Sequence, residues 1–436
     1  MPRTSDMRGA VKLAAGAVAG VSRIAEGVHQ SVWSVLGVPG GKTAQRTGGL
    51  TGLIYASVRG VAQLLGKGVD TLLATLQPLL DSADAAPPDS PQREAVLAAL
   101  NGVMGDRLAA GHNPLATPMT LRFDGAALDW QTLPPDFRPS GKVMLLVHGL
   151  CMNALQWQRH PAPPAAGTTG QGHAQALASA LGYTPVYLRY NTGLHISQNG
   201  RELAGQLTQL AAHWPVPLEE IAVLAHSMGG LVTRSAVHYA AQQRLHWLPH
   251  LKHMVFLGTP HHGAPLERAG NWVDVLLGST PFSKPFARLT ALRSAGITDL
   301  RYGNLMDADW QAQVGSQAHG QAQDQTQDQA QRQAQPRRSR DRRVPVPLPD
   351  GIACYAVAAA VAAKRSLVAE RLTGDGLVPL RSALGQHDDA QRHLHFAKAS
   401  QAIFYRTGHI ALLHSPAVTA QLLAWLTPAH TGQSHQ

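Results

Sequence analysis

The sequence of 436 residues predicts an α/β protein built on a mostly parallel β-sheet with helices on its faces. From Lys142 onward, short apolar runs alternate with segments whose apolar residues recur at helical spacing. Runs that are apolar throughout are typical of buried parallel strands, and the segments between them suit crossover helices. Before this region, Met119–Trp130 predicts two short strands joined at an Asp-Gly turn. The predicted strands are Val143–Val147, Pro185–Tyr190, Ile221–Ala225, Met254–Leu257, Ile352–Val357 and Leu394–Ala397, and the predicted helices are Ala174–Leu181, Gly200–Trp214, Gly229–Gln242 and Ala417–Leu426.

The first 110 residues differ in composition, and we expect residues 1–110 to form a helical extension in front of a main domain at residues 111–436. Residues 1–80 are rich in Ala, Gly, Val and Leu and predict weakly amphipathic helices, and Gln92–Leu108 predicts another. Two interpretations of residues 1–80 stay open: a helical hairpin that packs on the main domain, or helices that lie peripherally on a lipid or granule surface. A signal peptide is a third interpretation. The apolar run after Lys12 argues against it, because this run is short and interrupted by glycine.

The formal net charge of +10 is concentrated in two peripheral segments. Residues 1–80 contain eight Lys or Arg against three acidic residues, and residues 332–343 contain six Arg against one Asp. Residues 311–343 are also of low complexity and nearly free of large apolar side chains, so we expect a disordered insertion within the main domain, with an RNA-binding tail as the alternative. Because basic and acidic residues balance in the rest of the chain, we expect no nucleic acid partner.

The sequence predicts neither a membrane span nor a metal site. The longest weakly apolar run, Leu13–Val21, is much shorter than the ~18 residues that a spanning helix needs. Cys151 and Cys354 are the two cysteines; they match no metal-ligand spacing and fit a reducing compartment. We therefore expect a cytoplasmic protein without metal or cofactor, and peripheral attachment to a lipid surface is the alternative.

The passage Ile221–Arg234 carries the strongest chemical signal. It predicts an apolar strand, a sharp turn centred on Ser227 and then a helix, with small residues, Ala225 and Gly229, two positions to either side of the serine. Such a turn lifts the Ser227 hydroxyl out of the sheet and places a helix N-terminus beneath it, where developing negative charge is favoured. Ser227 is therefore the predicted nucleophile, although Ala225 stands where the common form of this motif has glycine.

A serine that attacks an ester also needs two backbone N–H donors for the oxyanion. One comes from the residue after the nucleophile, which is Met228. The other comes from the turn after an earlier strand, here the turn that follows Val143–Val147. Leu150 is the predicted donor in that turn, and Cys151 is the neighbouring alternative.

The base and its orienting acid should follow the serine in the chain order Ser, acid, His. Asp375 lies between two glycines on a predicted loop and is the candidate acid, against the alternative of a simple Asp-Gly turn. His409 lies after the last predicted strand and before the last helix, where a loop could reach Ser227, and is the candidate base. It is one of five histidines that lie between Asp375 and the last predicted helix: His387, His393, His395, His409 and His414.

From about Lys142 to the C-terminus, these motifs resemble those of the α/β-hydrolases, specifically lipases and esterases similar to the bacterial triacylglycerol lipases and to GPI inositol-deacylase-like hydrolases. The resemblance implies the α/β-hydrolase fold, a mostly parallel sheet of eight-stranded type flanked by helices, with a cap at Ala264–Trp310. It also implies a triad of Ser227, Asp375 and His409. The motifs are Val147–Leu150, Ala225–Gly230, Leu257–Gly263, Gly374–Gly376 and Gly408–His409.

The sequence thus predicts a serine carboxylic-ester hydrolase that acts on a small-molecule or lipid ester through an acyl-enzyme. The alternatives are an acyltransferase that uses the same triad, and a non-catalytic protein of a lipid or storage-granule surface that attaches through residues 1–80. Apolar residues of the cap either bind an acyl chain or form the core of the cap itself: Trp272, Val273, Leu276, Leu277 and Phe282.

Overall fold

The computed structural model describes residues 91–134, 137–158, 172–264, 293–311, 341–363 and 374–428. These residues contain an eight-stranded sheet in the order β2-β1-β4-β3-β5-β6-β7-β8. β3 to β8 pair in parallel, and β1 pairs antiparallel with both β2 and β4. The strands are β1 Thr120–Phe123, β2 Ala126–Ala127, β3 Lys142–Val147, β4 Thr184–Arg189, β5 Glu220–His226, β6 Leu251–Leu257, β7 Ala353–Ala360 and β8 Gln401–Tyr405.

Helices cover both faces of the sheet. β4 lies on one side of β3 in the sheet, and β5 lies on the other side. Because both crossovers are right-handed, the two connecting helices, α2 and α3, lie on opposite faces of the sheet. α2 packs against α7, and α3 packs against α4. The helices are α1 Pro91–Ala110, α2 His173–Leu181, α3 Ile196–His213, α4 Met228–Gln243, α5 Ala295–Tyr302, α6 Leu380–Ala383 and α7 Pro416–Leu426. This is the predicted α/β-hydrolase architecture.

The two central strands, β3 and β5, are buried along nearly their whole length, as their uninterrupted apolar sequences predict. Val147 pairs with Ala225 at the carboxyl ends of these strands. His226 pairs with Leu257 of β6, and Leu257 pairs with Val357 of β7. The turns that follow β3, β5 and β6 therefore lie side by side at one edge, which we call the carboxyl edge of the sheet.

The predicted strand Leu394–Ala397 is wrong, because the last strand is β8, which begins at Gln401. The buried Leu394 and Phe396 alternate in sequence with His393 and His395, and this alternation resembles that of a half-buried strand. The amide of Leu394 instead donates to the carbonyl of Gly385, and the amide of Phe396 donates to the carbonyl of Leu394. These local turn bonds take the place of a strand ladder.

Helix α1 covers the predicted helix Gln92–Leu108 and shares the hydrophobic core of the sheet. Val96 and Leu100 on this helix are fully buried in the same cluster as the central strands. Glu94 accepts two hydrogen bonds from the Arg189 guanidinium at the end of β4, at 2.9 and 3.0 Å. α1 belongs to the predicted extension at residues 1–110, yet it packs on the sheet. Residues 1–90 of that extension lie outside the described residues.

Parts of the predicted cap and insertion also fall outside the described residues. These parts are residues 265–292, which contain the apolar cap residues named above, and residues 312–340. The described ends of the insertion meet, since the amide of Val344 donates to Asp309 Oδ1 at 2.7 Å and Arg343 Nη1 donates to the carbonyl of Gly303 at 3.1 Å. None of the helices in the described ranges combines the length and apolar character required to cross a bilayer.

Candidate active site

Ser227 lies in the sharp turn between β5 and α4, as predicted. Its backbone has φ 55° and ψ −124°, a conformation that is uncommon and strained for a residue with a side chain. The amide of Ser227 donates to the carbonyl of Leu257 at 2.9 Å, which ties the turn to the end of β6. A Cβ atom on Gly230 would overlap the side chain of Thr259, so the helix can approach the sheet only because this residue is glycine.

Asp375 and His409 form a buried pair. His409 Nδ1 donates to Asp375 Oδ2 at 2.7 Å, and both side chains are only 1% exposed. Asp375 Oδ1 accepts from the amides of Leu377 at 3.0 Å and Val378 at 2.8 Å, and the amide of His409 donates to the carbonyl of Asp375 at 3.0 Å. These contacts fix the orientation of the carboxylate and of the imidazole.

Two contacts bring this pair to Ser227. Gly258 follows Leu257, which accepts the Ser227 amide, and a Cβ atom on Gly258 would lie 3.1 Å from both Asp375 Oδ2 and His409 Nδ1. His226, which precedes the serine, donates from Nε2 to the carbonyl of His409 at 3.1 Å, and the two rings lie 4.6 Å apart. The three predicted triad residues therefore converge at the carboxyl edge.

Two histidines close to the site, His226 and His148, have lowered pKa values. Burial, with the nearby His409, lowers the pKa of His226 well below its usual value, and burial lowers the pKa of His148 to about 4. Both imidazoles therefore stay uncharged near pH 7 and place no positive charge beside the pair. Ser227 Oγ is buried, and within the described ranges it has no hydrogen-bond partner.

The turn after β3 lies against the serine. A Cβ atom on Gly149 would be 3.0 Å from Ser227 Cβ, so the two turns are in direct contact. The amide of Cys151 donates to Thr192 Oγ1 at 3.2 Å, which engages the alternative oxyanion donor and favours Leu150. Met228 is the first residue of α4, where the amide has no acceptor within the helix.

Three other histidines that follow Asp375 have different neighbours. His387 Nε2 lies 3.7 Å from Asp341 Oδ2, and the ring of His393 lies 5.0 Å from that of His395. Among the described residues, no cluster of His, Cys, Asp and Glu has a metal-binding arrangement.

Sequence reasoning missed the contributions of His226, Gly258 and Thr192. His226 adjoins the nucleophile, and Gly258 lies in the motif Leu257–Gly263. The sequence does not show that both residues contact His409, which lies more than 150 positions later in the chain. Thr192 carries no motif, and its role depends on a contact with a residue 41 positions earlier.

Comparison with known proteins agrees with this architecture. Residues 138–322 match the family described as "PGAP1-like alpha/beta domain". This range contains Leu150, Ser227 and Met228 but not Asp375 or His409. No curated protein sequence is significantly similar to the chain.

Several solved structures are similar at low identity. Mature lipase BlEst2 of Bacillus licheniformis is 15% identical over 71% of this chain and 97% of that one, with a TM-score of 0.37. Carboxyl esterase 2 of Tuber melanosporum is 13% identical over 65% of this chain and 75% of that one, with a TM-score of 0.34. Phospholipase PlaB of Legionella pneumophila is 15% identical, covers 56% of this chain and has a TM-score of 0.32, and the match spans 44% of PlaB. The sheet order and the family match together make this chain an α/β-hydrolase-fold protein whose central part is similar to the PGAP1-like alpha/beta domain.

Proposed function

We propose that this protein is a serine carboxylic-ester hydrolase with Ser227 as nucleophile, His409 as general base and Asp375 as orienting acid. The observation that carries the proposal is the buried 2.7 Å bond between His409 and Asp375, at the edge of the sheet where Ser227 lies in its strained turn. A histidine oriented by a carboxylate beside a serine at a strand–helix turn is the arrangement required for nucleophilic acyl transfer.

The reaction proceeds in two half-reactions. Ser227 Oγ attacks the ester carbonyl while His409 takes its proton, and the amides of Leu150 and Met228 stabilise the oxyanion. The tetrahedral intermediate then expels the alcohol, which receives the proton from His409, and leaves an acyl-enzyme. A water molecule, deprotonated by His409, attacks the acyl group, and the second intermediate releases the carboxylic acid and restores the serine.

Burial of the Asp375 carboxylate strengthens its effect on the base. One carboxylate oxygen accepts from His409 Nδ1 and the other from the amides of Leu377 and Val378, so the aspartate holds the imidazole in the tautomer with hydrogen on Nδ1. Nε2 is then the nitrogen that can accept the serine proton. The imidazolium that forms is stabilised by the same carboxylate.

The proposed substrates are acyl or lipid-like esters, as the resemblance and the apolar sequence of the cap suggest. The proposed location is cytoplasmic, with residues 1–80 as the segment that would contact a lipid or granule surface. Cell fractionation would test the location, and deletion of residues 1–80 would test the contact. We expect the deletion to remove surface recruitment and to leave turnover of short esters largely intact.

The decisive experiment is labelling with a fluorophosphonate, together with turnover of p-nitrophenyl esters of increasing chain length. The wild type and a Ser179→Ala control, which changes an exposed serine of α2, should be labelled equally. Ser227→Ala should lose the label and reduce kcat by about 10⁶-fold. Equal labelling of Ser227→Ala would contradict the proposal, and no labelling of the wild type would favour the non-catalytic surface protein.

The products separate a hydrolase from an acyltransferase, because both proceed through the same acyl-enzyme. Turnover in water that yields free carboxylic acid at the rate of alcohol release supports the hydrolase. Release of alcohol that depends on an added alcohol or thiol acceptor would assign the triad to acyl transfer instead.

A further inference from the structure

Helix α1 has a kink at the point where it meets the candidate site. Met104 in its interior has non-helical angles, φ −143° and ψ 21°. The carbonyls on either side of the kink accept hydrogen bonds from other elements: Gly102 O from Ser294 Oγ at 2.7 Å, and Gly105 O from Asn191 Nδ2 at 2.9 Å. The backbone of the kink, and not only the apolar face of the helix, is thus in contact with neighbouring loops.

One of the close contacts of the kink is with the turn that contains Leu150. A Cβ atom on Gly102 would overlap Cys151 Sγ and would lie 3.0 Å from Cys151 Cα. Cys151 is buried and has φ 57°, a strained value for this residue type, so the turn has little freedom to move away. Gly102 therefore permits the helix to lie directly against the residue that follows the proposed oxyanion donor.

A second route connects α1 to the same turn. A Cβ atom on Gly193 would lie 2.6 Å from the amide nitrogen of Gly105. Gly193 belongs to the loop after β4, and its neighbour Thr192 accepts the amide hydrogen of Cys151 at 3.2 Å. The kink thus supports Cys151 directly and also through the loop that holds the Cys151 amide.

The kink holds the described part of the cap as well. The amide of Ala295 donates to Asp106 Oδ2 at 3.1 Å, and the amide of Gly296 donates to the carbonyl of Gly193 at 3.0 Å. A Cβ atom on Gly296 would be 3.0 Å from Met228 Cε, so the start of α5 is in contact with the side chain of the other proposed donor. Both sides of the proposed oxyanion site are therefore packed against elements that α1 anchors.

We propose that the kinked helix α1 is a positioning element of the active site, and that its close contact at Gly102 sets the position of the Leu150 amide through Cys151. The inference rests on the proposed function, and it extends the site to a helix that lies outside the stretch similar to the PGAP1-like domain. Gly102 and Thr192 are positioning residues, since they act on the oxyanion through Cys151.

The test is a double-mutant cycle between positions 102 and 151, measured as kcat and KM on one ester. Gly102→Ala should lower kcat by about tenfold to hundredfold with little change in KM, because a displacement of about 1 Å is enough for such a loss. In a Cys151→Ala background, which removes the overlapping sulfur, the same change should cost less than about threefold in kcat. Gly205→Ala is the matched control, since this exposed helical glycine has open space around it and should leave kcat unchanged.

Thr192→Val is a milder variant, which tests the same contact if Gly102→Ala does not fold. Loss of the hydroxyl acceptor frees the Cys151 amide and should lower kcat by about tenfold with little change in KM. Equal costs of Gly102→Ala in both backgrounds, or an unchanged kcat in both Gly102→Ala and Thr192→Val, would overturn the inference.

Amide hydrogen exchange distinguishes this inference from the function on which it rests. Gly102→Ala should speed exchange in residues 149–152 relative to Gly205→Ala, whether or not any ester is turned over. A wild type that hydrolyses no ester would refute the proposed function while the exchange experiment still tests the contact. Unchanged exchange in this turn would overturn the inference even in an active enzyme.

Discussion

The two edges of the sheet hold similar residue types in different environments. At the carboxyl edge, His409 is bonded to a carboxylate that is itself held by backbone amides, and all of these groups are buried. At the opposite edge, where the strands begin, His253 lies 3.5 Å from Glu220, and both are partly exposed.

A cavity of about 450 Å³ at this amino edge is lined by Cys354, His393 and His395, among others, yet within the described residues it contains no histidine bonded to a carboxylate. Cavity size and residue type therefore do not by themselves identify the candidate site. An oriented pair does not identify it alone either, since His195 Nδ1 also donates to the buried Asp299 at 2.9 Å. What distinguishes the pair of His409 and Asp375 is its position beside the strained turn of Ser227.

The largest effect should come from breaking the pair at the carboxyl edge. Asp375→Asn keeps the shape of the side chain but favours the wrong imidazole tautomer, so kcat should fall by about 10⁴-fold. Asp388→Asn, at an exposed position in the same region, is the control and should leave kcat within twofold or so. A similar kcat for the wild type and Asp375→Asn would remove the carboxylate from the mechanism.

A smaller effect should come from Gly258→Ala, which crowds the pair without removing it. The new methyl group would lie 3.1 Å from both His409 Nδ1 and Asp375 Oδ2, and we expect kcat to fall by about tenfold to hundredfold. Gly182→Ala is matched for the positive φ but has open space around it, so it should lose about 1–2 kcal/mol of unfolding free energy and no activity. Equal activity of the two variants would show that the contact at Gly258 is unimportant.

Much of this site could be predicted from sequence because its parts are local. The turn at Ser227, the turn at Leu150 and the glycines around Asp375 each leave a pattern of small residues that the backbone requires. The contacts of His226 with His409 and of Gly102 with Cys151 join residues far apart in the chain, and no local pattern records them. The last strand was misplaced for a related reason, because the alternation around Leu394 reports burial of side chains but not backbone pairing.

The buried histidines near the carboxyl edge should make stability depend on pH. Burial lowers the pKa of His148 and His173 to about 4, and that of His226 is also lowered, so the unfolded chain binds more protons than the folded one below pH ~6.5. The unfolding free energy should therefore be unaffected by these groups above that pH and fall as the pH drops from 6.5 towards 4. His148 and His173 should each cost about 2 kcal/mol at pH 5.

Chemical denaturation at several pH values would check this dependence. His173→Gln keeps a donor for the carbonyl of Leu412 and removes one titrating group. The slope of unfolding free energy against pH should therefore decrease by an amount equivalent to at most one bound proton. A slope that is the same in the wild type and in His173→Gln would show that this histidine is not the buried neutral group that its contacts indicate.

The smallest effect should come from the amino edge. Glu220→Gln keeps an acceptor for the Tyr183 hydroxyl and removes the negative charge beside His253. We expect a loss of about 1 kcal/mol or less in unfolding free energy and no change in kcat. A loss of activity here would mean that the two edges are coupled.

The bond between Val344 and Asp309 joins the two ends of a long detour of the chain between β6 and β7. Those strands pair directly with each other, so the sheet register does not depend on how many residues lie in the detour. Neither this bond nor the pairing of β6 with β7 involves residues 312–340, so the number of residues in that stretch sets neither contact. Asp375 and His409 both follow this point in the chain, so their distance from Ser227 in the sequence can drift over evolutionary time while their distance in space stays constant.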